Sequence, residues 1–445
     1  MAGKWADAVV TISRRGADRI RAGHVWVYRS DVVSADGANP GALVTVQEEL
    51  AKGNRASRPL GSALYSTASE IAVRIIARGP ITDLDQVLRG RIRDAIAYRE
   101  RYVQNSNAYR VIFSEGDFLP GLIVDRYNDV LSMQVLTQAM DSEGVRQAVI
   151  SELTTGLNPA AVVDRVDARV RRLEQLPEKE SGLVYVGGGG IRDEGVVPDV
   201  HVREGERGSF IAAPSAAGRV WTPAATQPLT NPDSCSTEFQ MNGLRFLYEA
   251  LGTQKTGAFL DQRENYAAAA QYARGEALDV FCYQGGFALH LARVCEKVTG
   301  VDSSRPALET ADKNASINGK EIEWIEANAF DLLRDYSDAG QQYDCIVLDP
   351  PAFAKSKRDL PTALRGYKEL NLRALKMLRT GGILATCSCS YHVSVADLLE
   401  TLQSAAQDSH RIVRILENRG AAKDHPNVVG IPETAYLKCL IVLVS

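Results

Sequence analysis

No run of about 18 consecutive apolar residues occurs in the 445-residue chain, which excludes a helix long enough to cross a membrane. Its opening residues, Met1-Ala2-Gly3-Lys4-Trp5-Ala6-Asp7, lack the apolar centre of a secretory signal, so a cytoplasmic location is the default expectation. Cysteine is sparse and unpaired in spacing. The seven residues, at 235, 282, 295, 345, 387, 389 and 439, are odd in number and contain no CxxC. Neither a disulfide framework nor a bound metal is expected. Charge of one sign is also missing: the net value of −4 gives no chain-wide attraction to nucleic acid. What is present, 45% hydrophobic and 24% charged residues, is ordinary globular composition, and the length implies two or three hydrophobic cores.

Local charge says more. Residues 1–30 hold six bases against two acids, and residues 78–110 hold seven arginines against four acids. A phosphate-holding face is one reading, with Arg14, Arg15, Arg19 and Arg29 as its contacts; a solvated mixed-charge surface is the other.

Residues 5–78 read as short strands broken by glycine turns, as in a small barrel. Apolar residues at helical spacing over 83–106 mark a helix with a basic flank. Strands at 109–113, 121–126 and 130–135, a helix near 141–154 and strands near 160–171 complete a second, α+β unit. Residues 187–235 open with four glycines and interleave five prolines with Ala, Ser and Thr; they read as a flexible insertion or linker. From about 240, strands and helices alternate. Strands are expected at 277–281, 297–301, 322–325, 344–348, 382–387, 412–417 and 436–443, in a mostly parallel doubly wound sheet whose last strand runs antiparallel. The boundaries are 1–80, 81–186, 187–236 and 237–445.

Within the last interval, the strand Ala277–Phe281 runs into the turn Cys282-Tyr283-Gln284-Gly285-Gly286, and the next strand ends on Asp302. This is the pattern by which an open α/β sheet binds an adenosine-containing cofactor, although the glycines do not follow GxGxxG. Asp279, Phe281, Tyr283 and Gly285 line the turn. Asp279 either anchors the loop or meets the amino-acid part of the cofactor, and Asp302 suits ribose hydroxyls. Asn328 is placed for an adenine edge, with Asp331 as a helix cap. Ile346-Val347-Leu348-Asp349-Pro350-Pro351-Ala352-Phe353 ends another strand, its first proline aiming Asp349 at the cleft. Together these segments point to S-adenosylmethionine.

The strand Gly382–Ser390 ends in Cys387 and Cys389, on one face. Carbon 5 of a pyrimidine is a poor nucleophile until a thiolate adds at carbon 6, and Cys389 is the candidate thiolate. Asp349 is placed to stabilise the adduct at N3. Cys282 and Cys345 read as packing residues, and so does Cys387 for the most part.

The chain resembles the class I S-adenosylmethionine-dependent methyltransferases that make 5-methylcytidine in 23S ribosomal RNA. The likeness is carried by Arg14–Arg29, Phe118–Tyr127, Gln254–Arg263, the cofactor segments, Asp424-His425-Pro426 and Pro432–Lys438. It implies an N-terminal PUA-type β-barrel, a central α+β RNA-binding domain and a C-terminal Rossmann-like methyltransferase domain. It also implies a cofactor lid formed by Lys255, Thr256, Phe259, Asp261, Gln262 and Arg263. The partner would be 23S rRNA or a large-subunit assembly intermediate, with a homodimer left open. The chain departs from the pattern in its 187–235 stretch, in Ala258, and in lacking a second thiol beside Pro351. Two other readings stand: guanine N7 methylation, for which Phe353-Ala354-Lys355-Ser356-Lys357 speaks, and a non-catalytic RNA-binding assembly factor.

Overall fold

The computed structural model describes residues 5–49, 58–187, 235–251 and 257–445. The stretch read as an insertion, 187–236, therefore lies almost wholly outside the described residues, as do Lys255 and Thr256.

The first sheet has six strands, in the order Trp26–Tyr28, Ile71–Ala77, Pro59–Tyr65, Leu43–Glu48, Val9–Ile12 and Val32–Asp36. Alternation along the strands puts Val10, Ile12, Val44, Val46, Val73 and Ile75 into one core. One segment differs from expectation. Arg14–Arg21 is a helix rather than a turn between strands: Ser13 caps it by accepting from the Gly16 N–H, and Gly16, Ala17 and Ile20 face inward.

The second sheet runs Gly182–Val186, Ala161–Asp164, Val130–Val135, Leu122–Tyr127, Ala108–Phe113. Helix Leu84–Tyr102, capped by Asp83, buries Leu88, Ile92, Ala95, Ile96 and Arg99, a stripe of helical period. Strand structure does not continue to 171. It stops at Asp164, and Asp167 starts a helix, Ala168–Leu173, by accepting from two backbone N–H groups. A hairpin, Ser236–Met241 with Leu244–Glu249, joins this sheet to the next. Phe239, Phe246 and Tyr248 share one core with Tyr127 on one side and with Ala277 and Phe287 on the other.

The third sheet has seven strands, in the order Glu323–Glu326, Lys297–Asp302, Glu276–Val280, Tyr343–Leu348, Leu378–Ser388, Lys438–Val444, Val413–Arg419. The first five are parallel; Lys438–Val444 is antiparallel to both neighbours, as expected. Its central strands read as continuous apolar runs because helices cover both faces. Chain order reverses between Glu276–Val280 and Tyr343–Leu348. Ligands of such sheets bind at that switch, outside the carboxyl ends of the strands. No helix of the described residues is long and apolar enough to cross a membrane.

Candidate active site

Asp279, Asp302, Asp349 and Cys389 all sit at or near carboxyl ends of adjacent strands, around the switch point. The turn after Glu276–Val280 is tight. Phe281, Tyr283 and Gly285 have positive φ, at 68°, 49° and 84°. Left-handed backbone at two aromatic residues is strained, and such strain concentrates at functional sites. At Gly285 a Cβ would come within 2.9 Å of the Trp324 ring, so only glycine fits. Asp302 fixes the turn from the neighbouring strand, accepting from the N–H groups of Tyr283 and Ser304, both at 2.9 Å.

Asp279 is fully buried. One carboxylate oxygen accepts from Ala288 N–H at 2.8 Å; the other has no partner among the described residues, and neither has the Trp324 indole N–H. Burial, with Asp349 and Asp302 nearby, pushes the Asp279 carboxyl up to about 8. An orphaned carboxylate oxygen beside a glycine-tight turn fits a cationic, hydrogen-bonding cofactor such as S-adenosylmethionine. Phe259, 41% exposed, lies 4.9 Å from Tyr283 and lines the same recess with Tyr266, Phe281 and Asp349.

Asp349 accepts from the Gln262 side-chain amide at 2.9 Å, and burial pushes its carboxyl up to about 7. Asp261 accepts from Tyr436 Oη at 2.6 Å. The Cys389 thiol faces the Pro350 carbonyl at 3.9 Å. Burial first, then Asp349 and Asp261, pushes the thiol up to about 12; the Lys438 ammonium acts in the opposite direction. Cys282, Cys345 and Cys387 are buried. Cys387 stands across from Cys439 in the sheet, as a packing residue would.

Several expected roles are not where the sequence put them. Arg263, assigned to the cofactor lid, is buried away from the recess on Asp424 (3.1 Å) and the Ala108 carbonyl (3.3 Å). Asn328 caps helix Ala329–Asp338 through its side-chain oxygen, a contact that leaves its amide N–H group for an adenine edge. Of the proposed RNA contacts, Arg15 and Arg19 pair with the buried Asp31. Arg29 donates to the carbonyls of Ser66 (2.5 Å) and Ser69 (2.9 Å). Arg14 and Arg15 both stay exposed, at 87% and 67%, and Arg14 makes only a loose contact to Asp18 at 3.8 Å.

Sequence reasoning missed the buried hydroxyl cluster behind the thiol. Ser388 Oγ donates to Tyr367 Oη at 2.9 Å, Tyr367 lies 3.2 Å from Ser390 Oγ, and Ala354 N–H donates to Ser390 Oγ at 3.2 Å. It ties the turn after Asp349 to the residues flanking Cys389. Lys438 donates from Nζ to the carbonyls of Ser390 and Tyr436, a role that the family-like segment Pro432–Lys438 does not itself imply. A lone cation opening the apolar run Cys439–Val444 was the available signal.

Known proteins resemble the chain in sequence and in fold. The S-adenosylmethionine-dependent methyltransferase family matches residues 221–442, and a PUA-like domain matches residues 10–78. In fold the chain is similar to a candidate methyltransferase complexed with SAH. It is equally similar to a Streptococcus mutans protein assigned as SAM-dependent. Both have a TM-score of 0.73 at 15% identity, over 98% of this chain and 99% of theirs. In sequence it is 34% identical to the ribosomal RNA large subunit methyltransferase I of Shewanella denitrificans, over 94% of each chain. It is 31% identical to that of Photobacterium profundum, over 94% of this chain and 95% of the relative. With S-adenosylmethionine as its cofactor, and across nearly its whole length, the chain belongs to the ribosomal RNA large subunit methyltransferase I family.

Proposed function

We propose that the protein methylates carbon 5 of a cytidine in 23S ribosomal RNA, through a transient bond to Cys389. The observation that carries this reading is the convergence of Cys389 and Asp349: their strands are adjacent and parallel, and the thiol lies against the carbonyl of the residue after Asp349. S-adenosylmethionine supplies an electrophilic methyl group. The Cys389 thiolate adds to carbon 6, and the displaced electrons make carbon 5 nucleophilic. Asp349, with its carboxyl raised to about 7, holds a proton at N3 while negative charge collects there. After methyl transfer the carbon 5 proton passes to water, the electrons of that bond re-form the 5,6 double bond and expel the Cys389 thiolate, and N3 gives its proton back to Asp349. The target nucleotide enters the cleft unstacked, because both faces of its ring are engaged. Asp279, Asp302 and the Phe281–Gly285 turn hold the cofactor, with Phe259 over it.

Cys389→Ala is the deciding variant. Methyl transfer to 23S rRNA lost, with S-adenosylmethionine still bound, supports carbon 5 chemistry. Transfer retained favours guanine N7, an atom already nucleophilic without a thiol. A wild-type protein that binds no S-adenosylmethionine would return the assembly-factor reading.

A further inference from the structure

We propose that the loop and first helical turns Lys355–Arg365, at the lip of the candidate active site, dock the phosphodiester backbone of the RNA strand that flanks the target nucleotide. The inference deepens the proposed function and rests on RNA being the substrate.

Exposed cations without an ion pair cluster in this segment. Lys355, Lys357 and Arg358 are exposed and make no ion pair among the described residues. Arg365, also exposed, donates only to Thr362 Oγ1, at 3.0 Å. The one acid in the stretch, Asp359, accepts from the N–H and hydroxyl of Ser356, both at 2.9 Å, and so rigidifies the loop as a capping box. Neighbouring cations behave differently. Lys368 on the same helix pairs with Asp408 at 2.7 Å, Arg373 with Asp338 at 2.8 Å, and Arg334 with Asp331 at 2.9 Å. Unneutralised charge is therefore densest at the cleft end of helix Leu360–Met377; beyond Arg365, Lys376 near the far end is the exposed cation of this helix without an ion pair among the described residues.

The segment is also tethered to the chemistry. Ala354, immediately before Lys355, is hydrogen-bonded to Ser390, the residue after Cys389. The Phe353 ring lies 4.9 Å from Tyr367 and 5.9 Å from the exposed Phe330. Cations beside an exposed aromatic ring are what a single strand requires: phosphates meet the cations and a neighbouring base stacks on the ring. A chain of net charge −4 repels RNA at long range, so attraction must come from such a local patch, acting within roughly 10 Å at 0.1 M salt. In the first sheet, Arg15 and Arg19 share Asp31 and Arg29 is hydrogen-bonded to carbonyls, so these three supply less of it.

The test is equilibrium binding of the full chain to an unmodified 23S rRNA transcript across a potassium chloride series. Each phosphate contact to a single strand contributes about −0.7 to the slope of log affinity against log salt. The K355Q/K357Q/R358Q variant should bind more weakly, with a slope shallower by about 2. Phe330→Ala should weaken binding several-fold and leave the slope alone. S-adenosylmethionine affinity and the thermal melt, measured on each variant, report an intact fold. An unchanged slope in the triple variant overturns the docking site. If that slope changes as expected but the wild type places no methyl on carbon 5 of a cytidine, docking stands and the proposed function falls.

Discussion

Gln262 holds Asp349 in a set orientation: its amide N–H donates to one carboxylate oxygen at 2.9 Å, while Asn265 donates to the Gln262 carbonyl oxygen at 2.7 Å and fixes which way the amide points. This bond favours the ionised carboxylate, against burial and the Asp261 charge, which favour the protonated form. Gln262→Leu should let Asp349 keep its proton to higher pH. The expected result is a methyl-transfer profile whose Asp349 limb moves to alkaline pH, with kcat/KM lower by roughly 10- to 100-fold, the cost of a charged hydrogen bond. An unmoved limb would separate Asp349 from the chemistry.

Asp279 makes stability and cofactor binding pH-dependent. Its carboxyl titrates near 8 in the folded chain against an ordinary 3.8, so the folded state holds the extra proton. That stabilisation is complete below about pH 4 and disappears as pH rises through 8. Buried His290, lowered to about 4, acts in the opposite direction only below its ordinary 6.5. Between pH 6.5 and 8, therefore, the melting temperature should fall in the wild type, and fall less in Asp279→Asn. S-adenosylmethionine, a cation, should expel the proton at pH 7, seen as a binding heat that varies with buffer ionisation enthalpy. Binding heats that are identical in phosphate and Tris would contradict this.

The Cys389 thiol should be sluggish in the free protein. With its titration pushed up to about 12, alkylation by iodoacetamide at pH 7.5 should be slow and should accelerate about tenfold per pH unit up to pH 9. Lys438→Met removes the one cation acting on it and should slow alkylation further, while Lys438→Arg should restore the wild-type rate. Peptide mass spectrometry assigns the labelled residue. Fast labelling of Cys389 at neutral pH would refute the account.

Arg29 should matter for stability and not for RNA. Arg29→Ala leaves the carbonyls of Ser66 and Ser69 without their guanidinium donor, at a cost of about 1–3 kcal/mol. A lower melting temperature with an unaltered salt slope for RNA binding is expected; the reverse pattern would restore Arg29 as a phosphate contact.

Buried parallel strands were legible because each is an apolar run closed by a turn residue: Leu278 and Val280 before the glycine turn, Ile346–Leu348 before Asp349. The helix Arg14–Arg21 was not. It contains a glycine and five charged residues, and what stabilises it is Asp31, 12 and 16 positions beyond Arg19 and Arg15. The same blindness misplaced Arg263 and Arg29. A sequence shows how many cations a segment has, but not which are matched by a distant carboxylate or carbonyl. Arg29 and Lys357 look alike in one dimension and differ only after folding.

Asp424 is wholly buried, and its donors come from far apart: Arg263 and the Arg110 N–H at its carboxylate, Arg99 at its carbonyl. Two of these three belong to the middle sheet and its helix. A truncated catalytic half, trimmed for convenience of expression, would keep Arg263 on the carboxylate but lose the Arg110 N–H and the Arg99 guanidinium, leaving buried acceptors on Asp424 without those donors. This molecule is a poor candidate for dissection into working parts, and its RNA-handling and methyl-transferring segments should be gained or lost together.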